Sequence, residues 1–386
     1  MKRFFKVLLS VVGIVLVLVL LFLTIAFSGF RRDKYIAPSY ENSSQQPEIK
    51  EKIPLLKEDG TLTKPGYCFN NNFEYERSAV KANPLRIKEW DFYQFCNTRY
   101  FVQFCIADIS MAGYASMVLC DMQTGEKYEI AYIKLLTFGN MNLETNAMQP
   151  HLLKYKNKDF DLEVNVEKNH RYIVLNGTKD GVIYTADLDI RMMNNLETIT
   201  TATPFTAVSD KYFYLNNKFT SMPVSGTITI GELKIEFNPE DTYCCLDWGR
   251  GVWPYAGDWY WGNGSTTLKD GTLFGFEITW GFGDASATTG NMMFINGKGH
   301  KLGEITAKLE EEGNWMSKWT FTCEDGRFMM TMTPYYDNYT NTRVGFVGNI
   351  CHQVFGRFDG YVILDDGTKL DIENMFAFCE YSDNRW

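Results

Sequence analysis

Between Cys244 and Trp261 the chain concentrates its chemistry: Trp248, Trp253, Trp259 and Trp261, four of its nine tryptophans, stand beside Asp247, Arg250, Tyr255 and Asp258. Indole rings offer contact area to an apolar or sugar-like guest, and the charges would orient it. If residues 258–261 are extended, Trp259 and Trp261 share one face and Asp258 and Tyr260 the other. The competing arrangement has the tryptophans filling a barrel core while Asp247 pairs with Arg250. A carboxylate held among indoles is pushed toward its neutral form by desolvation, which suits a general acid near neutral pH. Asp247, Asp258, Glu277, Asp284 and Glu380 are available, and sequence spacing does not say which two converge.

His352, in a His-Gln-Val-Phe-Gly run, has a ring able to orient an acid or a ligand. His151, His170 and His300 are isolated, and no His-x-His or His-Glu-x-x-His spacing occurs, so neither a metal nor another cofactor is expected. A Gly-x-Ser-x-Gly elbow and a phosphate-binding glycine loop are both missing, which removes the usual support for hydrolase and nucleotide-binding chemistry.

The elements that would position these groups are strands. In Phe160-Asp161-Leu162-Glu163-Val164-Asn165-Val166 apolar and polar residues alternate strictly, and Phe328, Met330 and Met332 repeat the pattern. Asn176-Gly177, Asp180-Gly181, Asp270-Gly271, Asp325-Gly326 and Asp366-Gly367 supply the positive φ values that tight hairpins need. Residues 141–153 are the one stretch of the body with room for a short helix. The expected fold class is therefore all-β, an antiparallel structure of one or two barrels.

The N-terminus is different. Val7 to Phe30 contains no charge, and at about 1.5 Å per residue its 24 positions reach roughly 36 Å, enough to cross a ~30 Å hydrocarbon layer with some tilt. A cleaved signal peptide is the alternative reading, with Ala26-Phe27-Ser28 as its site. Lys2, Arg3 and Lys6 on one side balance Arg31, Arg32 and Lys34 on the other, leaving either orientation open. The chain thus divides into an anchor helix at 1–30, a polar tether at 31–66, and two β halves at 67–235 and 236–386. Residues 35–386 hold 32 cations against 46 carboxylates, a formal charge of −14. Such a body makes a poor nucleic-acid binder, and repulsion from anionic lipid leaves membrane contact to the helix alone. Nine cysteines, odd in number and irregularly spaced, read as buried reduced thiols.

Four motifs carry a resemblance. Arg86-Ile87-Lys88-Glu89-Trp90-Asp91, the Asp247-Trp248-Gly249-Arg250-Gly251-Val252-Trp253-Pro254 run, Trp259-Tyr260-Trp261, and the His352 to Phe358 segment resemble the family called domain of unknown function 2804, over residues 55–386. That family implies no established activity. More distantly, the chain is similar to the two-barrel lipocalin-like carotenoid hydratases (hydroxyneurosporene synthase). In those an acidic residue protonates an isoprenoid double bond and water captures the cation, and the matching acid here is Asp247. This chain departs from that pattern, with Cys245 and Trp248 where that family's tryptophan and its basic or imidazole residue are expected.

Together these features point to a single-pass, membrane-tethered β-barrel protein that binds an apolar or amphipathic small molecule in a cavity lined by Trp248, Trp253, Tyr255, Trp259 and Trp261, with Arg250 for orientation. Two other readings stand beside it: a hydratase or isomerase acting on an isoprenoid or lipid with Asp247 as acid and His352 beside it, and an interaction module without catalysis.

Overall fold

The computed structural model describes residues 10–22, 35, 46–345 and 347–386. The expected alternation is realised directly: along Phe160–Val166 every second side chain is buried, beginning with Phe160. Strands assemble into two large antiparallel sheets, of thirteen and nine strands among the described residues. The central run of the first sheet is Lys127–Leu135, Ala112–Asp121, Tyr100–Asp108, Lys88–Cys96, Tyr243–Val252 and Ser209–Ile230, after which it continues through Val182–Arg191 to His151–Lys156. The second places Leu273–Trp280, Ala256–Thr267, Lys369–Arg385, Gly348–Ile363 and Phe328–Asn341 side by side at its centre.

Each sheet curls into a half-barrel around its own apolar core. Phe95, Leu162, Ile173, Phe219, Leu246 and Trp248 belong to the first core, and Phe276, Trp319, Phe321, Met332 and Phe358 to the second. Fully burying one such side chain contributes about 1.5–3 kcal/mol. A third apolar cluster, including Phe101, Cys245, Trp261, Phe355 and Phe378, lies where the two sheets meet.

The sheets part at Trp253-Pro254-Tyr255, between strands Tyr243–Val252 and Ala256–Thr267, and not near residue 235. Leu233–Phe237 pairs with Ser209–Ile230, and Tyr243–Val252 is wedged between Ser209–Ile230 and Lys88–Cys96, so both belong to the first sheet. Residues 46–66, taken from their polarity as part of a tether, are packed. Ile49, Leu55, Leu56 and Leu62 enter the first core, and Ile53–Pro54 pairs with Phe73–Glu74. Apolar residues that sparse do not announce a buried segment in composition. The stretch 141–150 forms turns, followed by the strand His151–Lys156, so no helix occupies it.

Among the hairpin signals, Asp180 and Gly181 have φ of 52° and 79° and turn the chain between paired strands as expected. Asn176-Gly177 lies inside a strand instead, with Gly177 paired to Phe160 and Tyr184. A Cβ on Gly177 would come within 2.7 Å of Ile130 Cδ1, so this glycine serves close packing.

Among the described residues no helix is long and apolar enough to cross a membrane. The N-terminal helix is described over residues 10–22, and the remainder of the expected span, 7–9 and 23–30, lies outside the described residues.

Candidate functional site

Strand Tyr243–Val252 is buried on both faces, because one looks into the first core and the other toward the second sheet. Period two therefore splits the motif found in the sequence. Cys244, Leu246, Trp248 and Val252 point into the first core, with Arg250 in the same set, whereas Cys245 and Asp247 face the other sheet. Trp248 and Arg250 thus stand apart from Asp247.

Arg250 pairs with Asp91 at 2.9 Å and also donates to the carbonyls of Trp90, Gly249 and Glu144, while its guanidinium lies 3.9 Å from the Trp248 ring centre. Both charges of that pair are almost fully buried. Trp253 stacks edge-on against Trp90, Tyr214 and Phe282 and is 1% exposed. Tyr255 is buried next to it in the segment linking the sheets. Trp259 and Trp261 do share a face, but Trp261 packs on Phe92 and Phe378, and half-buried Trp259 on Phe282. The four indoles fill three separate places and do not surround one hollow.

What meets Asp247 is a buried polar cluster between the sheets. Lys218, on the long strand Ser209–Ile230, is its direct cross-strand neighbour, with Nζ 3.5 Å from Asp247 Oδ1. The same ammonium lies 3.4 Å from Glu277 Oε1 on the opposing sheet and 3.7 Å from the centre of the Trp261 ring. Glu277 is fully buried and accepts from Trp261 Nε1 at 2.6 Å and from Asn263 Nδ2 at 2.9 Å. Asp247 accepts from Asn216 Nδ2 at 2.6 Å and from the Tyr214 hydroxyl at 3.3 Å. Glu380 completes the group, accepting from Gln353 at 2.8 Å and Trp259 at 3.3 Å. Gln353 in turn accepts from Gln103, whose amide also donates to Gln94, so the network ties the second sheet to the first.

Three carboxylates around one lysine leave negative charge undercompensated in a low-dielectric place. Burial, opposed by Lys218 and the Asn263 hydrogen bond and reinforced by Asp247, raises the pKa of Glu277 from its ordinary 4.5 to about 7. Burial also raises Glu380, against the Gln353 hydrogen bond. Lys218 is pulled down by burial, yet its carboxylate neighbours win and its pKa is raised, so it stays an ammonium. Tyr214 is pushed far up by burial and by Asp247. No three His, Cys, Asp or Glu side chains among the described residues are placed to hold a metal ion.

A cleft of about 230 Å³ opens where the sheets meet. Phe95, Phe376 and Phe378 supply apolar wall, Arg357 and Asn374 polar wall, and Gln94, Cys245 and Asn263 line it on the side of the cluster. None of the tryptophans lines this cleft. Asn263 is therefore shared, touching both the cleft and Glu277. It is also 5% exposed.

His352 lies elsewhere, on the core-facing side of the second half-barrel, bonded to Asp337 at 2.7 Å and stacked on Trp315 at 4.8 Å. It does not meet Asp247. Sequence reading named Glu277 and Glu380 among five carboxylates but gave no sign of Lys218, whose one signal is a cation in the middle of an otherwise buried strand.

The chain belongs to the family described as domain of unknown function (DUF2804), whose model matches residues 46–386. No curated protein matches it by sequence. Among solved structures it is similar to kievitone hydratase from Nectria haematococca, at 12% identity and a TM-score of 0.44 over 86% of this chain and 98% of that one. An AttH-like protein from Nitrosomonas europaea gives 12% identity and 0.46, over 80% and 96%. CghA gives 9% and 0.45, over 78% and 88%.

Proposed function

We propose that this protein takes a small apolar or amphipathic molecule between its half-barrels and transfers a proton on it, with Glu277 as acid, Asp247 as the companion carboxylate and Lys218 holding the charge balance. The reaction class would be acid-initiated isomerisation or hydration of a carbon–carbon double bond: Glu277 protonates one alkene carbon, and the cation either loses a proton from the adjacent carbon or adds water and releases a proton, which restores Glu277. The supporting observation is Glu277: a carboxyl with a pKa near 7, fixed by two hydrogen bonds and adjoining a cleft wall, is half protonated at neutral pH and so both gives and takes protons readily. Asp247, the acid proposed from sequence, receives hydrogen bonds from Asn216 and Tyr214 and faces the Lys218 ammonium.

The test is isotopic. Full-length protein in detergent is incubated with total lipid extract in heavy water, and lipids are weighed by mass spectrometry. A species gaining deuterium with the native chain and not with Glu277→Gln supports the reading; no protein-dependent deuterium in any extract overturns it. Binding without chemistry is the second reading, favoured by the Gln94–Gln103–Gln353–Glu380 bridge, which by itself accounts for a polar interface that orients two sheets. Native mass spectrometry showing a co-purified molecule that never takes up deuterium would select it.

The uncharged residues 7–30 would hold this body at a bilayer. Two features support that: the sequence, and the exposure of the described turns, where the large apolar side chains from Val11 to Phe22 are 47% to 60% exposed. Alkaline carbonate extraction should leave the intact chain in the membrane pellet.

A further inference from the structure

Four large exposed apolar side chains of the body fall within six consecutive positions, Ile133 to Phe138. Strand Lys127–Leu135 ends with Ile133 and Leu135, 67% and 75% exposed, and the loop that follows adds Leu136 at 51% and Phe138 at 45%. Leu136 and Phe138 both have left-handed backbone, with φ of 54° and 47°. Bulky residues rarely adopt that conformation, and two within three positions persist only where surrounding structure enforces them. Here it does: Leu136 N donates to the Met111 carbonyl at 2.7 Å, Phe138 N to Ser110 at 3.1 Å, and Gly139 N to the fully buried Asp108 at 2.8 Å. Arg77 fastens the base of the loop through the Ser110 hydroxyl at 2.7 Å and an ion pair with Glu89. A strained, tightly fastened loop is thus spent on holding greasy side chains out of the core, which folding alone does not explain.

Register shows where this edge lies. Gly251 is opposite Lys88, Glu89 opposite Asp108, Asp108 opposite Gly113, and Gly113 opposite Lys134, so Leu135 and Val252 mark the same end of the first sheet. Tyr35 docks at that end, its N–H bonded to the Ala256 carbonyl and its ring packed among Phe205 and Trp253. The five steps from Phe30 to Tyr35 span at most about 18 Å, and four strand spacings amount to roughly 19 Å. Tyr35 and the loop therefore lie at the same end of the first sheet, with no more than that length of chain between Tyr35 and the apolar N-terminal stretch.

We propose that the edge Ile133 to Phe138 inserts into the interfacial layer of the lipid bilayer beside the anchor, holding the body at two points with its first sheet end-on to the membrane. The inference rests on the anchoring role of residues 7–30 and replaces the expectation that the helix makes the only contact. The net charge of the body does not oppose it, since the contact is apolar and suits zwitterionic lipid.

The test uses the full chain in phosphatidylcholine vesicles, with an NBD fluorophore on Phe138→Cys and, as control, on Thr124→Cys at the opposite end of the same hairpin; the native chain, whose nine thiols are buried or half-buried, serves as blank. The label at 138 should shift to the blue and lose at least half its intensity when lipids carrying acyl-chain nitroxides are added, while the label at 124 does neither. Equal behaviour of the two labels on chains that float with the vesicles would overturn the loop contact and spare the anchor; chains that fail to float would overturn both. A blue shift that grows with protein density and ignores the lipid quencher would assign the face to a second copy of the chain, against the proposal.

Discussion

Strand Tyr243–Val252 carries two buried ion clusters on opposite faces, three residues apart, and they are built to opposite ends. Around Arg250 charge is balanced: one carboxylate, three carbonyls and an indole face meet one guanidinium. Around Lys218 it is not, with Asp247, Glu277 and Glu380 gathered about a single ammonium whose closest carboxylate contacts are 3.4 and 3.5 Å. The matched pair serves structure, whereas the unmatched cluster leaves Glu277 with a pKa raised to about 7. Burial by itself separates nothing here, since both are hidden from solvent, and the ratio of anions to cations is what distinguishes them.

The sharpest way to break this contrast is Arg250→Met. It leaves Asp91 buried without a cation, so stability should fall by about 3–5 kcal/mol in chemical denaturation, while Glu277 keeps its titration. Glu277→Gln should act the other way. Because the folded pKa of about 7 exceeds the ordinary 4.5, the native state binds the extra proton between those values, and the native chain loses stability as pH rises through that window, by up to about 3 kcal/mol. The Gln variant should be free of that loss, with melting temperatures at pH 5 and pH 8 drawing together; an unchanged pH dependence would place the proton elsewhere. The finest test swaps the neighbours. Lys218→Met should move the Glu277 titration upward and Asp247→Asn downward, each by about one pH unit, as read by carboxyl NMR. Shifts of the same sign would mean that packing, not charge, sets the site.

Much of the architecture could be read from alternation. Phe160–Val166 and the hairpin at Asp180-Gly181 behave as their patterns suggest, because one face is core and the other is wet. The site resisted for the same reason inverted. Along Tyr243–Val252 both faces are covered, apolar residues occupy both, and nothing in the order of residues tells that Asp247 and Trp248 look in opposite directions. The indoles drew attention as a group, yet chain adjacency placed them at three packing sites. Lys218 was invisible because its partners lie 29, 59 and 162 positions away and meet it only when the sheets close.

That closure has a consequence for how the chain is made. Lys88–Cys96 takes Tyr243–Val252 as its neighbour, and Ala256–Thr267 takes Lys369–Arg385, so each sheet is completed by a strand that arrives more than a hundred residues later. Loop closure over such separations makes folding slow and keeps unpaired strand edges open during synthesis. The second sheet gains its central strand only after Lys369–Arg385 has left the ribosome, and through that interval the edge of Ala256–Thr267 is open to pairing with strangers.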